Sequence, residues 1–576
     1  MALGDPESDT NNIEQSDTTF QADLNGDDEA KQSSLHPVVA DIKEKFWRAC
    51  EQRRADEERW AKAWYNYRGL YGREVKFTSA EKSRVFVKIT KTKVLGAYGQ
   101  LIDVLFGSNN AGIPLTIEPT TLPEGIEDTV HVSLKDPKGD QDETPQSGSF
   151  GFEGDGNPFP QEMTEDSMNL GPLEDDLEDA NVKEGSGKAK SDVTFHPAEF
   201  AAKKMQQRIH DQLGESGAAK HLRHVCFEQT LLGTGILKGP FLYTKEYPNW
   251  DEEGNYAPIE KDVPRLEARS VWNFYPDPDS ISMDDAEWAI DRHKMSKTQL
   301  RALKWRPYFY SKAITECIDE GSHYEQQWWE HELDDSYIQE DIQRWEVLEY
   351  WGVMDADTVK EELGETVTIP EDLQDREEFQ VNAWICNNRI IRLVFNPFKP
   401  RRIPYHAVPY ELNPYNFFGV GLAENMEDSQ TLMNGFTRMA VDNAVLSGNI
   451  MIEVDETTLS PGQDMDVYPG KVWRRQAGAP GQSIFATKWP NTTQENMLMY
   501  DKFRQLADEE TGIPSYSHGG TQSSSTTRTA SGMSMMMNAA SLNIKTVVKN
   551  VDDYLLRPLG EALFAFNMQF NFDPEI

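Results

Sequence analysis

The chain has 576 residues, more than a single hydrophobic core usually serves, so several lobes are expected. Only 38% of it is hydrophobic. The formal net charge of −40 is unevenly placed, with −8 on residues 1–35 and −14 on residues 122–192. With no basic block of any length, this balance argues against adhesive nucleic-acid binding, which gains from counterion release by Lys and Arg.

Four cysteines (Cys50, Cys226, Cys317 and Cys386) lie far apart without a CxxC pair, which fits unpaired thiols in a reducing compartment. The first residues are acidic and polar, unlike a signal peptide. No run of eighteen apolar residues exists, so no membrane span is expected, and folding in a cytoplasm is.

Residues 1–35 read as a disordered acidic tail. A helix is predicted from about Val38 to Tyr71, with Ile42, Phe46, Trp60, Trp64, Tyr67 and Tyr71 as a packing face, and a second from about Thr90 to Phe106. Residues 122–192 read as a mobile acidic insertion. Helices follow near Pro197–Leu213 and Ala218–Leu232, the latter ending at Gly233. Strands are predicted at Gly235–Thr244, Arg265–Ser270, 345–354, 379–386 and 389–395, the last two joined by Asn387-Asn388 as a hairpin. The middle is therefore α+β with antiparallel sheets.

Near the C-terminus a helix is predicted from Phe417 to Ser447, with Leu422, Met426, Met433, Phe436, Ala440 and Ala444 on its apolar face. Its 31 residues span about 46 Å at ~1.5 Å per residue. A small β insert follows, with strands at Ile450–Val454 and Lys471–Arg475. The next helix, Thr492 to Thr511, opens on a capping box Thr492-x-x-Glu495 and closes at Gly512 with Pro514 beyond. After a Ser/Thr/Gly loop, a third long helix starts near Thr529 with Met533, Met537, Ala540, Ile544, Val547, Val551, Leu555 and Leu559 on one stripe. Pro558 is expected to kink it.

Signatures of catalysis are missing. Gly187-Lys188 is followed by Ala189 and Gly470-Lys471 by Val472, so neither is a phosphate-binding loop, and no Gly-x-Ser-x-Gly or His-Glu-x-x-His occurs. His221, His224 and Cys226 lack a further ligand pair. Asp277, Asp279, Asp284 and Asp285 lack calcium-loop spacing and read as solvated acids on a proline-fixed turn. No cofactor or metal is expected.

The chain resembles the portal proteins of short-tailed, double-stranded DNA bacteriophages. The likeness rests on Val408-Pro409-Tyr410, Phe418-Gly419-Val420-Gly421-Leu422-Ala423-Glu424, Asp508-Glu509-Glu510-Thr511-Gly512-Ile513-Pro514 and Arg528-Thr529-Ala530-Ser531-Gly532-Met533. Ser270-Val271-Trp272-Asn273-Phe274-Tyr275-Pro276-Asp277 adds to it. The resemblance implies a helix-rich α+β portal-type fold. Residues 36–121 and 193–416 would form a wing, 417–447 and 491–512 two stem helices, and 448–490 a clip. A tunnel loop would occupy 513–528, and 529–576 would form a kinked wing helix leading toward a missing crown or barrel.

The resemblance further implies a homo-oligomer, a ring of twelve, at one vertex of the virion capsid, assembled in the host cytoplasm. Double-stranded DNA would pass through it during packaging and ejection. Major capsid protein, the terminase large subunit and a tail adaptor would be its partners, with no membrane involved. Glu424, Glu427, Asp428, Arg438, Lys502, Arg504 and Arg528 are the candidates to face the channel. Glu495, Asp501, Asp508, Glu509 and Glu510 add to an acid excess that would centre the duplex and let it slide. The tunnel loop would use Gly519, Gly520, Thr521, Gln522, Ser523, Ser524, Ser525, Thr526 and Thr527. The clip would offer Asp464, Asp466, Lys471, Arg474 and Arg475. A capsid or scaffold component without a bore, and an acid-rich hydrolase, are the rival readings.

Overall fold

The computed structural model describes residues 36–72, 75–79, 81–106, 115–119, 130–132, 193–251, 254–333, 343–363, 369, 373–374, 376–449, 451–466, 468, 470–476, 484–513 and 543–570. The tail 1–35, most of the insertion 122–192, the loop after Ile513, and Met533, Met537 and Ala540 lie outside them. So does Pro514.

In chain order the elements begin with helices α1 (Pro37–Arg68) and α2 (Ile89–Phe106), then strands β1 (Val130–Val132) and β2 (Val193–Phe195). Next come α3 (Pro197–Glu215), α4 (Ala218–Leu232), β3 (Thr234–Tyr247), β4 (Ile259–Arg269), β5 (Phe274–Pro276) and β6 (Trp288–Met295). Helices α5 (Lys297–Leu303), α6 (Ser311–Glu320) and α7 (Trp328–Leu333) lead to β7 (Trp345–Asp355), α8 (Ala356–Leu363), β8 (Glu378–Cys386), β9 (Arg389–Phe395) and β10 (Tyr405–Pro409). The remainder is α9 (Leu422–Asn425), α10 (Glu427–Gly448), β11 (Met451–Val454), β12 (Ile484–Thr487), α11 (Thr493–Thr511) and a last helix α12 at 543–570.

The chain divides into two compact units. In the smaller, Ile117–Lys204, β1 pairs antiparallel with β2, so the two ends of the acidic insertion meet in a ladder. The larger unit holds two main antiparallel sheets, ordered β5-β6-β7-β8-β9 and β10-β3-β4. The expected strands are present and slightly longer. Three more strands of these sheets, β5, β6 and β10, carry no signal in that reading.

Period-two alternation explains how the five-stranded sheet is covered. On β7, Leu348, Tyr350 and Met354 face a core shared with Val38, Val39, Ile42 and Phe46 of α1 and with Ala356 and Val359 of α8. Trp345 and Val347 face the opposite core, under Leu300, Leu303, Ile314 and Ile318 of α5 and α6. The Asn387-Asn388 turn joins β8 to β9 as expected, with Asn387 at φ 53°.

The aromatic stripe of α1 is packing. Trp60 is fully buried, edge-on to Trp272 at 5.3 Å and to Phe418 at 4.8 Å. The Ser270–Asp277 segment is a joint. A 3-10 turn, Val271–Asn273, enters β5, and the buried Arg53 guanidinium donates to the carbonyls of Val271, Trp272 and Phe274. Glu228 accepts from the Ser270 hydroxyl at 2.8 Å and the Val271 N–H at 3.1 Å.

A buried ionic network joins the two sheets. Lys238 on β3 donates to Glu349 on β7 at 2.5 Å, and Arg269 on β4 to Asp291 on β6 at 2.6 Å. Tyr405 on β10 donates to Asp291 at 3.1 Å, and the Trp351 indole to Glu349 at 2.7 Å. His293 completes the set. Its Nδ1 faces the Arg269 guanidinium at 3.0 Å and must accept, so its Nε2–H donates to Glu349 at 2.8 Å. Asp291, His293 and Glu349 are close enough to share a cation, yet Lys238 and Arg269 already bring two positive charges to the two carboxylates.

Burial alone would push the Glu349 carboxyl up. Lys238 and His293 more than offset it and hold the carboxyl well below the ordinary carboxylate range. Its pairing therefore stabilises the fold above the unfolded carboxylate value of about 4.3 and is lost as pH falls below that. Lys238→Met takes the ammonium partner from the buried Glu349 carboxylate and is expected to cost about 3–5 kcal/mol in urea unfolding near neutral pH. The gap between variant and wild type should narrow as pH falls from about 5 to about 3.

Candidate functional site

The antiparallel pair α10 and α11, with the β insert between them, is the candidate site. The pair differs from expectation at both ends. Phe417–Gly421 is not helical, with a bend through Phe417 and Phe418 and a bridge between Glu411 and Val420, and the helix is broken at Met426 between α9 and α10. The 22 residues of α10 span about 33 Å rather than 46 Å.

Backbone crowding is the reason. Gly233 has φ +93°, and a Cβ there would lie 2.4 Å from the Gly419 carbonyl oxygen. A Cβ on Gly419 or Gly421 would lie 2.7 Å from the carbonyl oxygen of Gly233 or Leu231 respectively. Three chain segments cross where only glycine fits, and a helix there would break the crossing.

The expected capping box at Thr492 is not formed. The Thr492 N–H donates instead to Asn443 Oδ1 of α10 at 2.8 Å, and the Thr493 N–H to Asn491 at 3.0 Å. Cross-helix capping thus fixes where α11 starts. Gly512 closes α11 in the left-handed conformation at φ 63°, as expected. In the insert β11 pairs with β12 in place of the expected Lys471–Arg475, which holds only a single bridge from Arg475 to Leu459.

The inner end of the pair is locked to α1, α2 and the segment between them by polar contacts. Gln430 accepts from the N–H and hydroxyl of Thr90, each at 3.0 Å, and donates to the Val87 carbonyl at 2.6 Å. Asn434 accepts from the Val87 N–H at 2.9 Å, and Asp442 from the Lys82 and Ser83 N–H groups at 3.1 and 2.9 Å. Buried Lys93 donates to Asp508 and to the Ile513 carbonyl, and Ser429 donates to Glu510 at 2.7 Å. Burial pulls the Lys93 ammonium below its ordinary value, with Asp508 working against that.

Several candidate charges are engaged here. Glu424 accepts twice from Arg59, at 2.8 and 2.7 Å, and half-buried Glu427 lies 4.0 Å from Lys62. The Arg438 guanidinium sits 5.1 Å from both the Tyr71 and Phe77 rings. Asp428, Glu495, Asp501, Lys502, Arg504 and Glu509 are exposed. Arg528 and the loop 519–527 lie outside the described residues. In the insert Lys471 turns inward, 4.2 Å over the Trp473 ring and 3.8 Å from Asp464, while Asp466, Arg474 and Arg475 are exposed.

Away from the lock, Phe436 stacks on Phe503 at 5.5 Å, and apolar surface remains uncovered. Fifteen large apolar side chains between Leu432 and Leu506 are exposed, among them Val445 at 58%, Leu498 at 60% and Phe485 at 63%. Ala507 and Thr511 are the buried residues of α11. Past the pair, α12 buries Ile544, Val547, Val551, Leu555 and Leu559. It passes through a π turn at Asp552–Leu556, next to Pro558, which lacks the N–H that would bond the Tyr554 carbonyl. No helix among the described residues is long and apolar enough to cross a membrane.

Lys93→Met removes the cation between α2 and α11 and is expected to cost about 3 kcal/mol. Hydrogen exchange should quicken across 500–511 while the β7 and β8 amides stay protected.

A family model described as Phage SU10 portal protein matches residues 203–576, from α3 through both sheets, the helix pair and α12. Portal proteins are structural components of the capsid vertex, which fits a site built of helix faces and charge instead of a catalytic pocket. With that match over about two thirds of its length, the chain belongs to the Phage SU10 portal protein family.

Proposed function

We propose that identical copies of this chain close into a ring of about twelve at one capsid vertex, and that duplex DNA passes through the ring during packaging and ejection. The carrying observation is the contrast within α10 and α11. The inner end is satisfied by polar partners of the same chain, while the outer part leaves apolar side chains bare. Exposed apolar surface of this extent marks an interface, and neighbouring copies of the same pair are the cover the family implies.

In this reading α10 and α11 form the stem around the bore and residues 448–490 the clip that meets terminase and later the tail adaptor. Most of 36–416 forms the wing against the capsid shell. Residues 513–528 reach toward the channel, and α12 returns through the wing. The exposed carboxylates Asp428, Glu495, Asp501 and Glu509 repel the duplex and keep it centred, and Lys502 and Arg504 add weak phosphate contacts. Glu424 and Asp508 serve the anchoring of the stem through Arg59 and Lys93. The terminase supplies the energy of packaging.

Val445→Asp with Leu498→Asp places charge on the outer faces without touching the lock. The double variant should keep its folded circular dichroism and sediment as a monomer under conditions where wild type sediments as a large ring. Rings formed equally well by the double variant would remove the stem faces from the interface. Replacing Arg528 and shortening 519–527 is expected to impair DNA retention in virions; normal packaging and retention would take the loop out of the channel.

A further inference from the structure

The acid excess of the chain reverses in an exposed corner that also carries two bare rings. From Ser296 to Thr315 there are five cations (Lys297, Arg301, Lys304, Arg306 and Lys312) and no Asp or Glu. Among the described residues none of the five forms an ion pair; Lys304 donates to the Thr315 hydroxyl at 2.6 Å. The corner is α5, opened by a complete capping box from Ser296 and Gln299, then the turn Trp305-Arg306-Pro307-Tyr308-Phe309-Tyr310, then the start of α6, whose later acids Glu316 and Glu320 pair with Arg389.

The turn is held in shape. Phe309 lies edge-on to Trp384 at 5.4 Å, with the Arg392 guanidinium 5.2 Å from its ring. The Tyr310 N–H donates to the Ile391 carbonyl at 2.9 Å, and the Ser311 hydroxyl to the Lys304 carbonyl at 3.2 Å. Tyr308 is fixed at φ +65°, a left-handed conformation unfavourable for a bulky residue. What this strained turn presents is two rings: Trp305 is 90% exposed and Tyr308 72%. The aliphatic residues Leu300, Leu303 and Ile314 are buried beneath, so the outer surface is made of rings and cations.

We propose that this corner binds unpaired nucleic acid, with bases stacking on Trp305 and Tyr308 and phosphates neutralised by Arg301, Arg306 and Lys312. Stacking on exposed rings accepts any base, and interleaved cations follow the backbone. A protein partner would be met by large aliphatic anchors among the aromatics around a desolvated pocket, and here Leu300, Leu303 and Ile314 are turned inward. A duplex covers its base faces with neighbouring pairs and gives the rings nothing to stack on. The cations are spaced at 297, 301, 304, 306 and 312, so no contiguous run signals them in the sequence.

The test is fluorescence anisotropy with the full chain and three labelled probes: a 20-nucleotide oligothymidine, the duplex it forms with oligoadenosine, and polyglutamate. The single strand should bind most tightly, with a log–log salt slope of about −2 for three neutralised phosphates. Trp305→Ala and Arg306→Ala should each weaken it about tenfold, with unfolding temperatures unchanged because both side chains are exposed. Tyr415→Ala, which removes a ring 92% exposed outside the corner, should bind as wild type. The proposal is overturned if the single strand does not bind, if the duplex binds more tightly, or if the corner variants bind unchanged. Polyglutamate binding that depends on Trp305, in place of the oligonucleotide, would also overturn it and assign the corner to an acidic protein.

Discussion

The ionic network of Lys238, Arg269, Asp291, His293, Glu349 and Tyr405 is the joint on which the larger unit depends. It draws side chains from β3, β4, β6, β7 and β10, and so ties the three-stranded sheet to the five-stranded one through charges removed from water. Such a network contributes little when measured against an apolar replacement, but removing one member is costly because its partner stays buried and charged. The two sheets consequently hold one register relative to each other. From β3 the connection continues to Gly233, where the backbone meets Gly419 and Gly421 at distances no side chain permits. The helix pair starts immediately after that crossing. Network, sheet, glycine crossing and helix pair form one continuous load path.

Along α10 and α11 the chain changes how it satisfies its groups. At the inner end nearly every contact is a directed hydrogen bond from Gln430, Asn434, Asp442, Lys93 or Ser429, which fixes angle and register. Further out the contacts are apolar and mostly unmade within one chain. A directed anchor with a non-directional outer surface suits a part whose orientation is set by its own body and whose stability comes from its neighbours. Arg438 lies on α10 between Asn434 and Asp442, its charge held against Tyr71 and Phe77.

Sequence patterns disclosed what local physics decides. Glycine stops at Gly233 and Gly512, the Asn387 turn, the aromatic face of α1 and the stripe from Ile544 to Leu559 are all local or periodic signals, and the structure contains each of them. Long-range pairing was illegible. Glu424 meets Arg59 across 365 residues and Asp508 meets Lys93 across 415, so charges that read as free stem acids are anchors. The helix pattern ran back into Phe417–Gly421 because periodicity counts side chains and is blind to a backbone crossing. Asn443 displaced the capping box for the same reason, offering the Thr492 N–H a partner 49 residues away. Strand Lys471–Arg475 lost to Ile484–Thr487, which pairs with β11 from Met451 opposite Thr487 to Val454 opposite Ile484.

The central claim is that the apolar outer faces of α10 and α11 exist to be covered by the same faces of other copies around a bore. Electron cryomicroscopy of the assembled full chain measures this most directly. The account predicts closed rings of about twelve copies with an open axis, and Val445 and Leu498 buried between adjacent helix pairs. Particles with no axial opening, or rings in which those side chains remain in solvent, would contradict it.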